Sequence, residues 1–465
     1  MATLSRSFGS RTLTNLRDRW RDRFSGRVGV DDPLVVADAL SSAGDRAKVR
    51  DLMEECLAAR GGEVSARTRA RRLAGTWLRL NSEGRLRYLT LLAEDFGVNH
   101  RQVRDLAAEL VAADNEGLVA IEVRLRAALS ARRRGLIRQL AAVPDGMKLI
   151  VDMRAELLEN LAGAGGDAPS ALRELDNDFF DLLADWFDVG FLELRRISWD
   201  SPASLLEKVI AYEAVHRIDS WADLHNRLDT DRRCFGFFHP RMPDEPLIFV
   251  EVALVHGIAS SVQDLLDLDA PHSATTDADT AVFYSISNAQ TGLRGVGFGD
   301  FLIKRVVEDL RKELSAVRHF VTLSPLPGLR KWFETTSDGD VAQACSMGPD
   351  AVARLRTRIS TPEPASDDLR ADLLRVAAGY LLRAKRGAAP VDAVARFHLG
   401  NGARVERLNW LGDTSAKGLK ESFGVMVNYR YELAHIEANH EAFATDRVVV
   451  SAKAVSDLLE QTKRR

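Results

Sequence analysis

The chain has 465 residues, 46% of them hydrophobic and 28% charged, with a formal net charge of −3. That composition is ordinary for a soluble globular protein of roughly two domains, and the near-neutral balance gives no electrostatic pull toward nucleic acid or an anionic membrane surface. No apolar run approaches the roughly 20 residues that a spanning helix needs. The three cysteines, Cys56, Cys234 and Cys345, are far apart and form no C-x-x-C pair. A zinc cage is therefore not expected, and so sparse a set suits a reducing compartment.

The chain opens with an Arg- and Ser-rich stretch that carries no acid before Asp18. This has the flavour of a mitochondrial transit peptide, which Asp18 and Asp22 weaken, and there is no apolar core for a secretory signal. Residues 1–30 read as a flexible basic leader, the C-terminal QTKRR is not a peroxisomal address, and the default location is cytoplasmic. From residue 31 to about 190 the periodicity is helical. Val103, Leu106 and Leu110, then Leu118, Ile121, Leu125 and Leu129, then Leu172, Leu175, Phe179, Leu182, Leu183, Trp186 and Phe187 recur at steps of three and four. The glycine-rich stretch at 162–170 breaks this bundle, and Arg132, Arg133 and Arg134 read as a solvated helix face.

The texture changes near Phe191. Residues 191–199 read as extended, and Ser201-Pro202 as the N-cap and first turn of a helix. Residues 247–255, 283–287 and 319–324 read as strands, with a helix at 301–314 whose Leu302, Val306 and Leu310 share a face. Strand, helix and strand of this length form a βαβ-type unit, so residues 191–465 are expected to be an α/β domain. Residues 361–368 read as an exposed acidic loop or the edge of an insertion, with a helix behind them at 369–386.

Three places could carry chemistry. The first is the loop Arg294, Gly295, Val296, Gly297, Phe298, Gly299 and Asp300, which has the form R-x-x-G-x-G and lies directly before the helix at 301–314. Glycines let the backbone approach an anion, and the helix offers unpaired N–H groups. The spacing fits neither a P-loop nor a Rossmann fingerprint. It is the form that acetyltransferase-like folds use for the pyrophosphate of coenzyme A, though such a loop also serves as a plain tight turn. The second is Ser324, pinned by Pro325 and Pro327, either as a turn residue or as a directed hydroxyl. The third is His398, read as lying on a strand that ends in a hairpin at Asn401-Gly402; it is either a general acid or a structural hydrogen-bonder. His239 and His256 are alternatives. Asn428, Tyr429 and Tyr431 either line a pocket or belong to a packed amphipathic element.

Several long motifs occur in order: SWDSPASLLEKVIAYEAVH from Ser198, DRRCFGFFHPRMPDEPLIFVEVAL from Asp231, FYSISNAQTGL from Phe283, the glycine loop, FLIKRVV, LSPLPG around Ser324, FHLGNGA around His398, and NYRY at Asn428 to Tyr431. Together they resemble the malonyl-CoA decarboxylase family over the whole second part, and more loosely over the first. The resemblance implies a helical N-terminal domain followed by an acetyltransferase-like mixed α/β domain. It implies a carboxy-lyase that converts malonyl-CoA to acetyl-CoA and CO₂, with coenzyme A as part of the substrate and neither metal nor cofactor. By the same resemblance Ser324, His398 and Tyr431 are catalytic, residues 294–300 hold coenzyme A, and the helical domain forms a homo-oligomer, a tetramer in the family. Relatives can carry other residues at Gly297 and Phe298, and the peroxisomal tripeptide of animal members is not matched. Two other readings suit the same fold: an N-acyltransferase dependent on coenzyme A, and a non-catalytic scaffold that binds it.

Overall fold

The computed structural model describes residues 36–58, 62–114, 117–271, 274–297, 299–360 and 366–460, apart from the side chains of 62–64 and 299–301. The leader expected at 1–30, Phe298, and residues 361–365 of the acidic loop lie outside these.

Among the described residues eight helices come first: α1 (Ala43–Leu57), α2 (Gly62–Arg79), α3 (Ser82–Asp95), α4 (His100–Ala112), α5 (Leu118–Leu129), α6 (Arg133–Ala142), α7 (Gly146–Ala164) and α8 (Ser170–Trp186). Side-chain caps start several of them, since Ser42, Asn81 and Asn99 each accept a first-turn N–H. α8 buries Leu172, Leu175, Phe179, Leu182 and Leu183, the single face that the spacing predicts. Fully burying each such side chain is worth about 1.5–3 kcal/mol. α4 and α5 bury only Leu106 and Ile121, respectively, and leave Val111, Val119, Val123 and Leu129 exposed.

A mixed sheet follows. Its strands are β1 (Glu193–Ile197), β2 (Arg232–His239), β3 (Met242–Val255), β4 (Thr280–Asn288), β5 (His319–Thr322), β6 (Ser324–Pro325), β9 (Arg404–Asn409) and β10 (Met426–Arg430), while β7 (Lys385–Arg386) and β8 (Ala389–Pro390) form a separate hairpin. The order is β1-β2-β3-β4-β5-β10-β6, with β9 also on β10. Among the described residues only β4 and β5 are parallel neighbours, joined through helix α12 (Gly299–Glu313), as the βαβ pattern requires. Leu302, Val306 and Leu310 of α12 are fully buried. The remaining helices are α9 (Ala203–Tyr212), α10 (Trp221–Arg227), α11 (Val262–Leu266), α13 (Leu329–Thr335), α14 (Asp338–Cys345), α15 (Pro349–Ser360), α16 (Asp367–Leu382), α17 (Ala393–Gly400), α18 (Ala416–Ser422), α19 (Ile436–Asp446) and α20 (Lys453–Glu460).

One apolar core runs without a break from α1 to α20 and includes Phe179 of α8, Phe237 of β2 and Val306 of α12. The helical region and the sheet are thus packed on each other. Two smaller cores cover the sheet elsewhere, around Val209 with Phe249 and around Val282 with Met426.

Four local expectations are corrected. Arg133 is buried rather than solvated, and its Nε donates to Asp178 at 2.6 Å. Ser201 does not cap α9; Pro202 holds the cap position, and the Ser201 hydroxyl accepts from the Ser198 N–H instead. The helix expected over 369–386 is α16, which starts at Asp367 on a Ser366 cap and ends at Leu382. His398 lies on helix α17, not on a strand. Asn401-Gly402 ends that helix: Asn401 is its C-cap, and Gly402 has φ of 79° against the Ile436 backbone. An Asn-Gly pair suits a helix stop as well as a hairpin, because both need a positive φ.

Candidate active site

One split in the sheet, marked by a bulge, creates the site. β4 and β5 are paired from Thr280 with His319 to Phe283 with Thr322, and there they part. β4 continues to Asn288 beside β3, whereas Ser324 turns away to pair with Val427 of β10. The parting coincides with a bulge in β4: Phe283 faces Val252 and Ser285 faces Glu251, so Tyr284 is an extra residue. Ser324 therefore sits at the mouth of a wedge between two parallel strands, as its position after a strand suggested.

His398 reaches Ser324 from α17. Asp392 starts that helix, with Oδ1 accepting from the Ala395 N–H at 2.8 Å and Oδ2 from the Tyr380 hydroxyl at 2.9 Å. His398 then lies in the last turn, buried against the ring of Tyr429 at 4.5 Å between centroids. Its Nε2 is 3.2 Å from Ser324 Oγ, and its Nδ1 is 2.8 Å from the Tyr431 hydroxyl. Ser324 Oγ donates to Thr322 Oγ1 at 2.8 Å, and Thr322 Oγ1 also accepts the Tyr429 N–H at 3.1 Å. Ser324 has only one proton to give. With that proton on Thr322, His398 Nε2 must be the donor to Ser324, and Nδ1 the acceptor from Tyr431. The four side chains form one chain of donors: Tyr431, His398, Ser324, Thr322. Burial alone pushes the His398 pKa down to about 3, so the ring is neutral at physiological pH.

The other face of β10 fixes the backbone around this chain. The Asn428 amide donates to the carbonyls of Thr322 (2.7 Å) and Ala259 (3.1 Å), and its oxygen accepts from Asn409 at 2.8 Å and from Arg407 at 3.2 Å. Of the three residues singled out in NYRY, Tyr431 and Tyr429 touch His398 and Asn428 holds Thr322. His239 and His256 stand apart. His239 Nδ1 accepts the Arg241 N–H, and exposed His256 pairs with Asp279.

The glycine loop rests on the helical region. Arg154 of α7 donates to the carbonyls of Gly292 (2.8 Å) and Arg294 (3.0 Å) while its Nε donates to Asp176. Gly295 has φ of 89°, and a Cβ there would meet the Phe180 ring at 3.3 Å, so this glycine is required by backbone and packing. A Cβ on Gly297 would meet nothing within 4 Å. Arg294 is exposed, and Gly299 begins α12. Thr322, Asp392 and Arg154 carry no sequence signal of their own; a Thr two residues before the Ser on an expected strand is the one hint, because it shares the face of Ser324.

Among the described residues no three His, Cys, Asp or Glu side chains cluster as a metal site, and no helix is long and apolar enough to cross a membrane. The three thiols are buried and unbridged.

The sequence model of the malonyl-CoA decarboxylase C-terminal domain matches residues 190–465, and that of the N-terminal domain matches residues 96–187. The mitochondrial malonyl-CoA decarboxylases of Anser anser anser and Rattus norvegicus are each 35% identical over 405 residues, or 81% of this chain and 80% and 82% of theirs. The crystal structure of malonyl-CoA decarboxylase from Rhodopseudomonas palustris superposes with a TM-score of 0.78 at 42% identity, and that from Agrobacterium vitis with 0.79 at 41%. Each covers 89% of this chain and 99% of its own. With both family domains matched in order and relatives above a third identity over 81% of the chain, the chain belongs to the malonyl-CoA decarboxylase family.

Proposed function

We propose that the chain converts malonyl-CoA to acetyl-CoA and CO₂ at the Ser324–His398 pair. The observation that carries this reading is the buried chain from Tyr431 through His398 to Ser324, at 2.8 and 3.2 Å, opening at the parting of β4 and β5. The reaction needs an orienting group and a proton donor. The thioester carbonyl is itself the electron sink, which is why no organic cofactor or metal is invoked. Loss of CO₂ leaves an enolate, whose carbon then takes a proton. Ser324 donates to the malonyl carboxylate or thioester oxygen, exchanging its bond to Thr322 for one to substrate. A donor aimed at the developing enolate oxygen is typically worth 10²–10³ in rate. His398 Nε2–H supplies the proton; an enolate carbon is basic enough to take it from a neutral imidazole. Tyr431 holds the tautomer that keeps this proton on Nε2.

The loop at residues 294–300 would hold the coenzyme A pyrophosphate against the start of α12, with Gly297 leaving room for it. We assign the chemistry to residues 191–465, an acetyltransferase-like unit in its β4–loop–α12–β5 order, and self-association to residues 31–190. The α4–α5 hairpin, with Val111, Val119 and Val123 exposed, is the apolar surface that a further copy would cover, a tetramer being the expected assembly. A cytoplasmic address is retained as a proposal beside the mitochondrial names of the goose and rat relatives, and cell fractionation decides between them. The central test is a mass balance: purified protein without added metal, cofactor or amine should release one CO₂ and one acetyl-CoA per malonyl-CoA. Turnover that requires an amine acceptor would overturn the reading.

A further inference from the structure

A second cleft, of about 930 Å³, lies beyond the Ser324 turn. Pro327 and Gly328 form one rim and the β7–β8 hairpin another, and none of its lining residues belongs to the glycine loop. The volume is that of a small-molecule site.

Its charge is one-sided. Lys331, Arg383, Lys385, Arg386 and Arg396 line it, against Asp340 and Asp392. Two of the cations are committed to the walls. Arg383 donates to the Ser346 hydroxyl, and Arg396 donates to the carbonyls of Pro390 and Val391. The side chains of Lys331, Lys385 and Arg386 make neither an ion pair nor a hydrogen bond with the described residues. Asp392 is buried and held by Tyr380 and Ala395, and it forms no ion pair with any of the three. One wall is aromatic: the rings of Trp332 and Tyr380 lie 5.3 Å apart at 44°. Unpaired cations facing a cavity with an aromatic wall match an anion that carries a flat ring.

We propose that this cleft binds a phosphate-bearing nucleotide, with Lys331, Lys385 and Arg386 on the phosphate and Trp332 beside the base. The nucleotide has two sources, the adenosine 3′-phosphate end of coenzyme A itself or a separate small nucleotide. The cleft lies close to the chemistry, because Gly328 is on the Ser324 turn and Asp392 caps the helix that bears His398.

The test is calorimetric titration of the purified full chain with adenosine 3′,5′-bisphosphate and, separately, ADP, at low salt. At least one should bind with Kd below about 1 mM, and Lys385→Glu/Arg386→Glu should weaken it at least tenfold. Both residues are exposed on a hairpin, so thermal melting should stay unchanged. Lys331→Glu on α13 is the second variant, with the same expected loss. A raised KM for malonyl-CoA in the double variant assigns the site to coenzyme A; an unchanged KM assigns it to a separate nucleotide. Absence of binding to the wild type, or equal binding by both variants and the wild type, overturns the proposal. The titration uses no turnover, so it fails or succeeds independently of the decarboxylase reading.

Discussion

Ser324 and His398 lie in different elements, 74 residues apart, yet their side chains meet at 3.2 Å with both residues buried. A buried serine bonded to a buried neutral histidine is held on one side by Thr322 and on the other by Tyr431. Replacing His398 by Asn keeps some hydrogen bonding but removes the proton that the enolate needs. CO₂ release should fall at least about 100-fold, the usual scale for a general acid. Acetyl-CoA affinity, measured by titration, should change by less than about threefold. A variant that turns over within threefold of wild type, a difference of only about 0.7 kcal/mol, would remove His398 from the reaction.

Thr322 is a positioning residue, because it acts through Ser324. Thr322→Val removes the acceptor of both the Ser324 hydroxyl and the buried Tyr429 N–H. An unsatisfied buried donor costs about 1–3 kcal/mol, so thermal stability should drop. With the Ser324 hydroxyl no longer aimed, kcat should fall about tenfold with little change in KM. Thr322→Ser restores the acceptor and should recover most of kcat. A merely structural role would lower stability without that split between kcat and KM.

The β4–loop–α12–β5 unit was legible because every part of it is local. Alternating apolar residues mark the strands, three glycines mark the loop, and Leu302, Val306 and Leu310 mark one helix face. Ser324 was legible for the same reason, since it follows a strand and precedes Pro325. His398 reads as a strand residue because Phe397 and Leu399 alternate around it and Asn-Gly is a strong turn signal, yet it lies on a helix. The helix is decided by Asp392, whose cap depends on burial against Tyr380, a contact that no local pattern shows. Arg154 was invisible for a related reason. It holds the Arg294 carbonyl across 140 residues, and an arginine on a helix otherwise reads as surface.

The glycine loop separates fold from ligand. Gly292 packs so closely on the Val151 backbone that a Cβ would collide with it. Gly292→Ala should therefore cost about 1–3 kcal/mol in denaturant unfolding. At Gly297 there is open space. Gly297→Val should leave unfolding unchanged within about 0.5 kcal/mol and raise KM for malonyl-CoA about tenfold by blocking the phosphate. An unchanged KM would mean that the pyrophosphate lies elsewhere.

The buried imidazole makes a prediction about pH whose sign is fixed. Burial lowers the His398 pKa from 6.5 to about 3 in the folded chain. Between those values the unfolded chain binds a proton that the native chain refuses, so stability falls as pH drops from about 6.5 and the loss levels off near pH 3. Above about 6.5 the group contributes no pH dependence. Other buried groups complicate the raw curve. His216, lowered to about 4 by burial, and His239, also lowered by burial, act in the same direction; Glu251, raised to about 7 by burial, and Asp392, also raised by burial, act in the opposite one. All are present in His398→Asn, so the difference between wild type and variant isolates His398. Denaturant unfolding at pH 7.5, 6, 5 and 4 should show the wild type losing stability relative to the variant, by up to about 1.4 kcal/mol per pH unit below 6.5. Parallel curves would mean that the histidine is hydrated in the folded chain. The same neutrality should appear in kinetics: kcat/KM should show no limb near pH 6.5, where an exposed histidine would titrate.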